Sequence, residues 1–395
     1  MSQGRINICL IGQAFMGRTH SNAWTQVSRF FRPPVPPLMH TVAARDEKTL
    51  REFAARWGWQ NCSTNWKKTV HSPDIDLVDV GTPNHLHELM AVEALAAGKH
   101  VSCEKPLART LDEARRMAQA ARKAKGKTFV WYNYRRCPAI AFAYMLAREG
   151  RLGDIRHVRA SYLQDWADAS IPLIWRFDKN IAGSGSNGDL LAHTIDAVRF
   201  VTGEEITEIS GAIMETFVKE RIVQSSGPGG GIAAGIKGGG KKGKVKVDDA
   251  VLFLARMSGG GVASFEATRM ATGNQNRNGF EINGTKGAVR FNFERMNELE
   301  FYDATIDRSR QGWATIMCTH GGSHPYAEAW WPDAHVIGYE HSFTNMAYDI
   351  SLALAGKKPV VPLPDFADAY ETQRVLEATA IAAKEKTWVK LSQVK

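Results

Sequence analysis

Short apolar runs alternate with longer amphipathic segments along the first third of the chain. Buried-strand patterns occupy residues 6–11, 39–44, 75–80, 100–103 and 128–131. Helical patterns lie between them, ending near residue 30 and spanning residues 47–57, 86–97 and 111–124. Strands that alternate with helices at this spacing predict a doubly wound parallel sheet, the Rossmann arrangement.

The pattern changes after about residue 135. Helices are predicted at residues 139–149, 189–201, 342–355 and 366–384. Strands are predicted at residues 155–162, 208–217, 250–257, 261–267, 279–283 and 288–293. Because few helices interrupt these strands, they favour a large, mostly antiparallel open sheet. The chain is therefore predicted to be α/β, with a Rossmann domain at residues 1–135 and a second α/β domain at residues 136–395.

Two segments show neither the helical nor the strand periodicity of hydrophobic residues. Residues 225–244 are rich in glycine and hold few apolar side chains, so we expect them to be disordered or to form a flap. Residues 304–339 are long, irregular and rich in histidine, tryptophan and glycine. Loops of that length in compact domains are usually functional or mobile.

Composition narrows the class of protein. The chain has 395 residues, of which 44% are hydrophobic and 23% charged, as is ordinary for a globular protein. It has no apolar run long enough to span a membrane and no signal-peptide pattern at its start, so we expect no membrane partner. Five scattered cysteines, an odd number, are typical of a reduced, cytoplasmic enzyme.

The net charge of +9 does not predict a nucleic-acid partner. Part of it comes from lysines between residues 237 and 246, which alternate with glycines and have no interleaved aromatic residues. A solvated loop is the favoured interpretation, and a mildly basic surface also suits an anionic dinucleotide.

The first strand is followed by a glycine motif that begins with Gly12 and ends with Gly17. It differs from the dinucleotide fingerprint because Ala14 replaces the middle glycine. An alanine methyl is tolerable there if φ stays negative. The following helix, from about Phe15 and Met16, is expected to direct its first amide groups at a phosphate.

The end of the second strand bears on the cofactor. An acidic residue there binds the ribose 2′-hydroxyl of NAD, but Ala44 occupies the position and Arg45 follows. Because arginine pairs well with phosphate, the cofactor is predicted to be NAD or NADP. Asp46 is predicted to cap the next helix.

A second group of polar residues follows the last strands of this sheet. Glu104, Lys105 and Pro106 come directly after a strand, where a parallel sheet binds its ligands. Lys105 is either directed into the cofactor crevice or an ordinary loop lysine. The segment after residue 81 supplies further candidate cofactor residues: Thr82, Pro83, Asn84 and His87.

Asp189 and His193 are four residues apart on a predicted helix and so share one face, with Asp196 three residues further. A histidine can take a proton from a hydroxyl while a carboxylate orients it. The alternative is a core histidine preceded by a capping aspartate.

A metal site is not favoured by the remaining histidines. Cys318, His320, His324, His335 and His341 follow no standard zinc spacing. A loop that covers the substrate is the preferred interpretation, and no metal is predicted.

Taken together, these motifs resemble the glucose–fructose oxidoreductase/inositol dehydrogenase family, Gfo/Idh/MocA, over nearly the whole chain. The resemblance rests on residues 12–17 with His20, residues 82–87, residues 104–106, and Asp189 with His193. Residues 132–136, 162–166, 175–177 and 324–326 resemble one branch of that family.

The resemblance implies an NAD(P)-dependent sugar or polyol dehydrogenase that works as a dimer or tetramer through its open sheet. It places Lys105, Asp189 and His193 around the nicotinamide. It also implies oxidation of a secondary hydroxyl of a pyranose, anhydrosugar or glycoside, with ring carbon 3 favoured. Trp166 or Trp175 is expected either to stack on the sugar or to belong to the core. The candidate sugar-binding residues are Tyr134, Gln164, Trp166, Arg176, Asp189 and His193.

Two other functions are compatible with the same motifs. One is a glycoside-cleaving enzyme that uses tightly held NAD for transient oxidation and elimination. The other is a non-catalytic sensor of sugar or dinucleotide, against which the retained proton-transfer residues argue.

Overall fold

The structure, a computed structural model, describes residues 4–223 and 240–395. The chain divides into two compact units. The first comprises the chain up to Arg136 together with Ile337–Tyr370, and the second comprises Cys137–Val336 together with Glu371–Lys395. The sequence-based division had assigned everything after residue 135 to one domain.

The first unit contains a six-stranded sheet in which every neighbouring pair is parallel. Its strand order is β3-β2-β1-β4-β5-β6, formed by β1 Ile6–Ile11, β2 Pro37–Ala43, β3 Asn61–Ser63, β4 Leu77–Val80, β5 His100–Cys103 and β6 Thr128–Val130. The helices between them are α1 Phe15–Phe30, α2 Glu47–Trp57, α3 Trp66–Val70, α4 His87–Ala96 and α5 Leu111–Lys123. This confirms the predicted Rossmann sheet.

A later segment returns to this unit because it packs on α1 and on the end of the Rossmann chain. Helix α9, Tyr339–Leu354, stacks Tyr348 on Phe31 with ring centroids 4.4 Å apart. Its Asp349 accepts a 3.2 Å hydrogen bond from the fully buried Arg136. A buried arginine needs such a partner, so this pair ties the segment to the first unit.

The second unit contains a nine-stranded sheet of order β16-β15-β14-β13-β7-β12-β11-β8-β17. All neighbouring pairs are antiparallel except β7 with β12, which confirms the predicted mostly antiparallel sheet. The strands are β7 Ile155–Leu163, β8 Ile206–Glu215, β11 Ala250–Met257, β12 Val262–Thr268, β13 Arg277–Gly284, β14 Gly287–Asn292, β15 Glu298–Asp303, β16 Trp313–Met317 and β17 Val389–Lys390.

Three helices of the second unit are α6 Pro138–Arg148, α7 Lys179–Ala182 and α8 Ala192–Thr202, and the division between the units falls within α10 Phe366–Glu385. The prediction of one regular helix at residues 189–201 was wrong at its start. A π-helical turn, Asn187–Leu191, precedes α8, and Asp248 accepts hydrogen bonds from the backbone of Gly185 and Asn187 at its start.

The predictions for the two segments without helical or strand periodicity also need correction. Strand β16 lies within residues 304–339, which had been predicted to be irregular throughout. Most of the predicted flap at residues 225–244 lies outside the described residues. Its last part, Lys242–Lys244, forms strand β10 and pairs antiparallel with β9, Glu220–Ile222, instead of being disordered. No helix in the described ranges is long and apolar enough to cross a membrane.

A charged cluster lies in the core of the first unit. His20 of α1 is fully buried, with Nδ1 3.2 Å from Asp79 and Nε2 3.0 Å from Glu104. Because both ring nitrogens face carboxylates, only the doubly protonated imidazolium donates to both. Burial lowers the pKa of His20, but Asp79 and Glu104 outweigh it and raise the pKa to about 9. The indoles of Trp24 and Trp131 donate to Asp79 and complete the cluster.

The raised pKa of His20 predicts that the free energy of unfolding falls as the pH rises. Because the pKa of His20 rises from 6.5 to about 9 on folding, its contribution is complete below pH 6.5 and is lost as the pH passes 9. The difference corresponds to about 3 kcal/mol of unfolding free energy. Urea unfolding followed by tryptophan emission at several pH values should show this slope, and His20→Gln should flatten it. His71→Gln, an exposed histidine in the same unit, is the control. An unchanged slope in His20→Gln would rule out a charged His20.

Candidate active site

The turn after β1 in the first unit accommodates only glycine at two positions. Gly12 has a φ of 122°, and a Cβ there would lie 2.6 Å from the carbonyl oxygen of Gly81. A Cβ at Gly17 would lie 2.4 Å from the carbonyl oxygen of Gly12. The close approach of β1, α1 and β4 therefore depends on these two glycines.

Ala14 does not close this turn. Its φ is −78°, which an L-residue adopts without strain, so the methyl group that replaces the fingerprint glycine is tolerated. Ala14 is the N-cap of α1, and its side chain makes no capping hydrogen bond. Helix termini without a cap leave their first amide groups for an anion. The amides around Phe15 and Met16, at the start of this 16-residue helix, therefore fit the pyrophosphate of a dinucleotide.

Three residues singled out in the sequence follow β2. Ala44 is half-buried and its amide donates to the carbonyl of Ser63, while Arg45 is exposed. Asp46 caps α2, as predicted, by accepting a 2.8 Å hydrogen bond from the amide of Thr49. Hydrogen bonds from the hydroxyl and the amide of Thr49 lower the pKa of Asp46.

The segments that follow β4 and β5 are joined by a histidine. His87 is fully buried, with Nδ1 3.1 Å from the carbonyl of Pro106 and Nε2 2.8 Å from that of Thr82. It therefore holds the two segments from inside, next to the half-buried Pro83 and the buried Asn84.

Glu104 links the buried cluster to the predicted catalytic lysine. One carboxylate oxygen of Glu104 is bound to His20, and the other accepts a 3.1 Å hydrogen bond from the amide of Lys105. The Lys105–Pro106 peptide bond is cis, and Lys105 itself is half-buried. Tyr134 also belongs to this unit and lies, buried, in a 3₁₀ turn at Asn133–Arg136.

The other predicted site residues lie in the second unit, where Gln164 and Trp166 form a connected pair. The indole of Trp166 donates to the amide oxygen of Gln164 at 2.7 Å. The amide nitrogen of Gln164 donates to Asn276 at 2.8 Å. Since both ends of its amide have protein partners, Gln164 orients Trp166.

Asp189 lies between two arginines. Its carboxylate is 3.7 Å from Nε of Arg176 and 3.6 Å from Nη1 of Arg269. Arg176 also stacks on Trp175 at 4.4 Å, so that face of Trp175 is occupied by its neighbour. The arrangement holds a carboxylate between two guanidinium groups at the π-helical turn that leads into His193. Irregular helical turns of this kind often mark functional sites.

His193 is the second residue of α8, which begins directly after the π-helical turn. Its side chain is largely buried, and its ring is inclined by 62° to that of Tyr162, with centroids 6.0 Å apart. The same unit thus contains a histidine, a carboxylate and two guanidinium groups on neighbouring elements. Such a set can transfer a proton and bind hydroxyl groups.

Arg269 is a residue that the sequence-based analysis did not identify. It continues the inward-facing alternation of β12, after Ala263, Phe265 and Ala267, and is fully buried. A charged residue in the buried phase of a strand was the available signal. Burial lowers the pKa of Arg269, while the carboxylate of Asp189 opposes that shift.

The histidine-rich segment shows no metal site. His320 and His324 have ring centroids 5.4 Å apart, and the amide of His320 donates to Nδ1 of His324. Within residues 4–223 and 240–395, no group of three or more acidic, histidine or cysteine side chains is arranged to hold a metal ion. The role of this segment as a substrate-covering loop stays a prediction.

Models of known protein families match a segment of each unit. Residues 6–133 match the model described as "Oxidoreductase family, NAD-binding Rossmann fold", and residues 141–290 match the "GFO/IDH/MocA C-terminal domain". Levoglucosan dehydrogenase of Pseudarthrobacter phenanthrenivorans is 41% identical over 394 residues, covering 98% of this chain and 99% of that protein. The 1,5-anhydro-D-fructose reductase of Ensifer adhaerens is 31% identical over 65% of this chain and 67% of its own length.

Solved structures resemble the whole chain. An oxidoreductase domain protein from Kribbella flavida is 45% identical, with a TM-score of 0.90 over 98% of this chain and 99% of that one. A levoglucosan dehydrogenase in complex with NADH and levoglucosan is 39% identical, with a TM-score of 0.89 over the same shares. The branch indicated by the later sequence motifs is the one that contains levoglucosan dehydrogenase. The chain belongs to the GFO/IDH/MocA family of oxidoreductases and has that family's NAD-binding Rossmann domain.

Proposed function

We propose that this protein is an NAD-dependent sugar dehydrogenase that oxidises a secondary hydroxyl of a pyranose, an anhydrosugar or a glycoside, with ring carbon 3 favoured. The observation that carries the proposal is the pairing of Asp189 with Arg176 and Arg269, one helical turn before His193. The 41% identity to a levoglucosan dehydrogenase supports a sugar as the substrate.

In this proposal, the residues of the first unit hold the dinucleotide. The uncapped start of α1 binds the pyrophosphate through the amides around Ala14, Phe15 and Met16. Arg45 lies beside the adenosine ribose. The segment that contains Thr82, Pro83, Asn84 and His87 lines the cofactor, as does Glu104. When bound, NAD accepts the hydride that leaves the hydroxyl-bearing carbon.

The proton of the reacting hydroxyl goes to a ring nitrogen of His193, which acts as the general base. Lys105 donates a hydrogen bond to the same oxygen and stabilises the negative charge that develops there. Asp189, held by its two arginines, accepts a hydrogen bond from an adjacent hydroxyl. Tyr134 and Arg176 bind further hydroxyls, while Trp166, oriented by Gln164, stacks on the apolar face of the ring.

The open sheet supports a second proposal, that the enzyme is a homo-oligomer. Ile213 and Leu252 are cross-strand neighbours on its outer face, and Leu254 follows on the same side. Their exposed fractions are 58%, 41% and 56%. The face also carries both arginines and glutamates, which suits a second copy in a two-fold arrangement.

The general-base role predicts the effect of removing the imidazole. His193→Ala should lower turnover about 10²–10⁴-fold and leave the fold and the NADH affinity intact. Turnover is measured by reduced-nicotinamide absorbance with a panel of anhydrosugars, inositols and free and glycosylated hexoses. His71→Ala, an exposed histidine, is the control. Normal turnover of His193→Ala with a lower melting temperature would make His193 a core residue only.

Cofactor preference should depend on Arg45. If its guanidinium pairs with a 2′-phosphate, Arg45→Asp should raise the ratio of kcat/KM for NAD over NADP by about tenfold or more, as expected for one lost charge-assisted hydrogen bond. Lys48→Asp makes the same change of charge on the neighbouring exposed turn and serves as the control. An equal ratio in Arg45→Asp and the unmodified enzyme would discard the assignment.

The oligomer proposal predicts dissociation when charge is placed on the open sheet. Leu254→Glu should shift the mass measured by light scattering toward that of a single chain, because a two-fold contact brings two such carboxylates together. Val360→Glu, an exposed apolar position outside the sheet, should leave the mass unchanged. A single-chain mass for the unmodified enzyme would refute the proposal.

A further inference from the structure

The β9–β10 ribbon is not part of the nine-stranded sheet. It contacts instead the loop of residues 164–178, which carries several of the proposed sugar-binding residues. The amide of Leu173 donates to the carbonyl of Ile222 at 2.7 Å, and Leu173 and Val223 form a parallel bridge. The ribbon is therefore joined to the middle of this loop by backbone hydrogen bonds.

Arg221, in the ribbon, inserts a fully buried side chain beneath the same loop. Its guanidinium donates to three carbonyl oxygens: Ala167 at 2.6 Å, Asp168 at 2.5 Å and Ile171 at 3.0 Å. The guanidinium presents its donors in a fixed planar fork, and here one side chain satisfies three backbone acceptors. The curvature of the loop thus depends on one side chain from a distant part of the sequence.

The electrostatic partner of Arg221 is farther away than the carbonyls. Asp249 lies 4.0 Å from its Nη2, and the other oxygen of Asp249 accepts hydrogen bonds from the amides of Phe217 and Val218. The shortest polar contacts of Arg221 are therefore those to the loop. An arginine that stabilised only the sheet would not need these hydrogen bonds to the loop.

The contacts continue from Arg221 to the candidate catalytic residues. Arg221 lies 3.9 Å from the ring centroid of Phe177, and Arg269 lies 5.1 Å from the same centroid. Arg269 also lies 5.5 Å from the centroid of the Trp166 ring and 3.6 Å from the carboxylate of Asp189. A displacement of the loop thus moves the residues that pair with Asp189.

We propose that Arg221 is a positioning residue that sets substrate affinity, and that the β9–β10 ribbon acts as a specificity element without touching the substrate. The inference rests on the proposed function, because it takes the loop of residues 164–178 as part of the sugar site. It assigns to the ribbon the task of holding Trp166 and Arg176 in place.

Steady-state kinetics of Arg221→Lys and Arg221→Gln test this role. Small displacements of positioning groups cost up to about 10²-fold, and the loss should appear mainly in KM for the sugar. Lysine keeps the charge but not the fork of donors, so Arg221→Lys should lie between the unmodified enzyme and Arg221→Gln. The dissociation constant of NADH, measured by fluorescence, should stay within about twofold in both variants, because the dinucleotide-binding residues lie in the first unit.

A second variant keeps the test sound if both Arg221 variants fold poorly. A Cβ added at Gly243 would lie 2.6 Å from Cδ2 of Leu173, so Gly243→Ala forces this side chain of the loop to move and leaves Arg221 unchanged. It should raise KM in the same direction. Lys242→Ala, an exposed residue of the same strand, should match the unmodified enzyme.

The outcomes separate the two proposals. If the unmodified enzyme oxidises no sugar of the panel, the proposed function fails. If it does oxidise a sugar, and Gly243→Ala and the folded Arg221 variants keep its KM while only their melting temperature falls, Arg221 is merely structural. Hydrogen exchange of residues 164–178 provides an independent measurement, and it should accelerate in Arg221→Gln.

Discussion

The second unit depends on the burial of one cation, the guanidinium of Arg269 at the end of β12. A buried charge is tolerated only where other groups compensate it, and here the compensation comes from Asp189, the carbonyl of Asp248 and the rings of Phe177 and Trp166. These groups belong to the loop before α7, to the π-helical turn and to the segment that precedes β11. The groups that compensate the charge of Arg269 therefore come from the elements that carry the proposed substrate-binding residues, and their contacts with Arg269 hold these elements together.

The approach of these elements is close enough to exclude side-chain atoms. A Cβ at Gly185 would lie 1.7 Å from the carbonyl oxygen of Asp248 and 2.7 Å from Nη2 of Arg269. Asp248 in turn accepts hydrogen bonds from the amides of Gly185 and Asn187. These bonds satisfy backbone amides at the start of the π-helical turn, so Asp248 anchors the turn that carries Asp189.

The first unit also compensates buried charges, but it does so with an imidazolium and carboxylates. An imidazolium lies between two carboxylates, and two indoles and a hydroxyl donate hydrogen bonds to Asp79. The cluster fixes Glu104, and Glu104 accepts the amide of Lys105. The geometry of the exposed end of the sheet thus follows from hydrogen bonds made in its interior.

The sequence predicted most of the strands and the cofactor turn because their determinants are local. Most strands of the first sheet are short, mainly apolar runs bounded by turn residues, and the turn after β1 keeps a recognisable glycine spacing. Strand β16 was missed because it is an edge strand with no fully buried face, so it shows no alternation. Strand β10, Lys-Gly-Lys, has no apolar residue and exists only through its pairing with β9. The partners of Asp189 and the contacts of Arg221 connect residues far apart in sequence, which no local pattern encodes.

The β9–β10 ribbon has a consequence for where this protein can vary. The amide of Val223 donates to the carbonyl of Lys241, and Ile222 pairs with Lys242, so the two strands of the ribbon pair with each other. The ribbon shares no strand pairing with the nine-stranded sheet. Substitutions at exposed positions of the ribbon, such as Lys242, therefore leave the register of the large sheet unchanged, and natural variants can diverge here while the scaffold is retained.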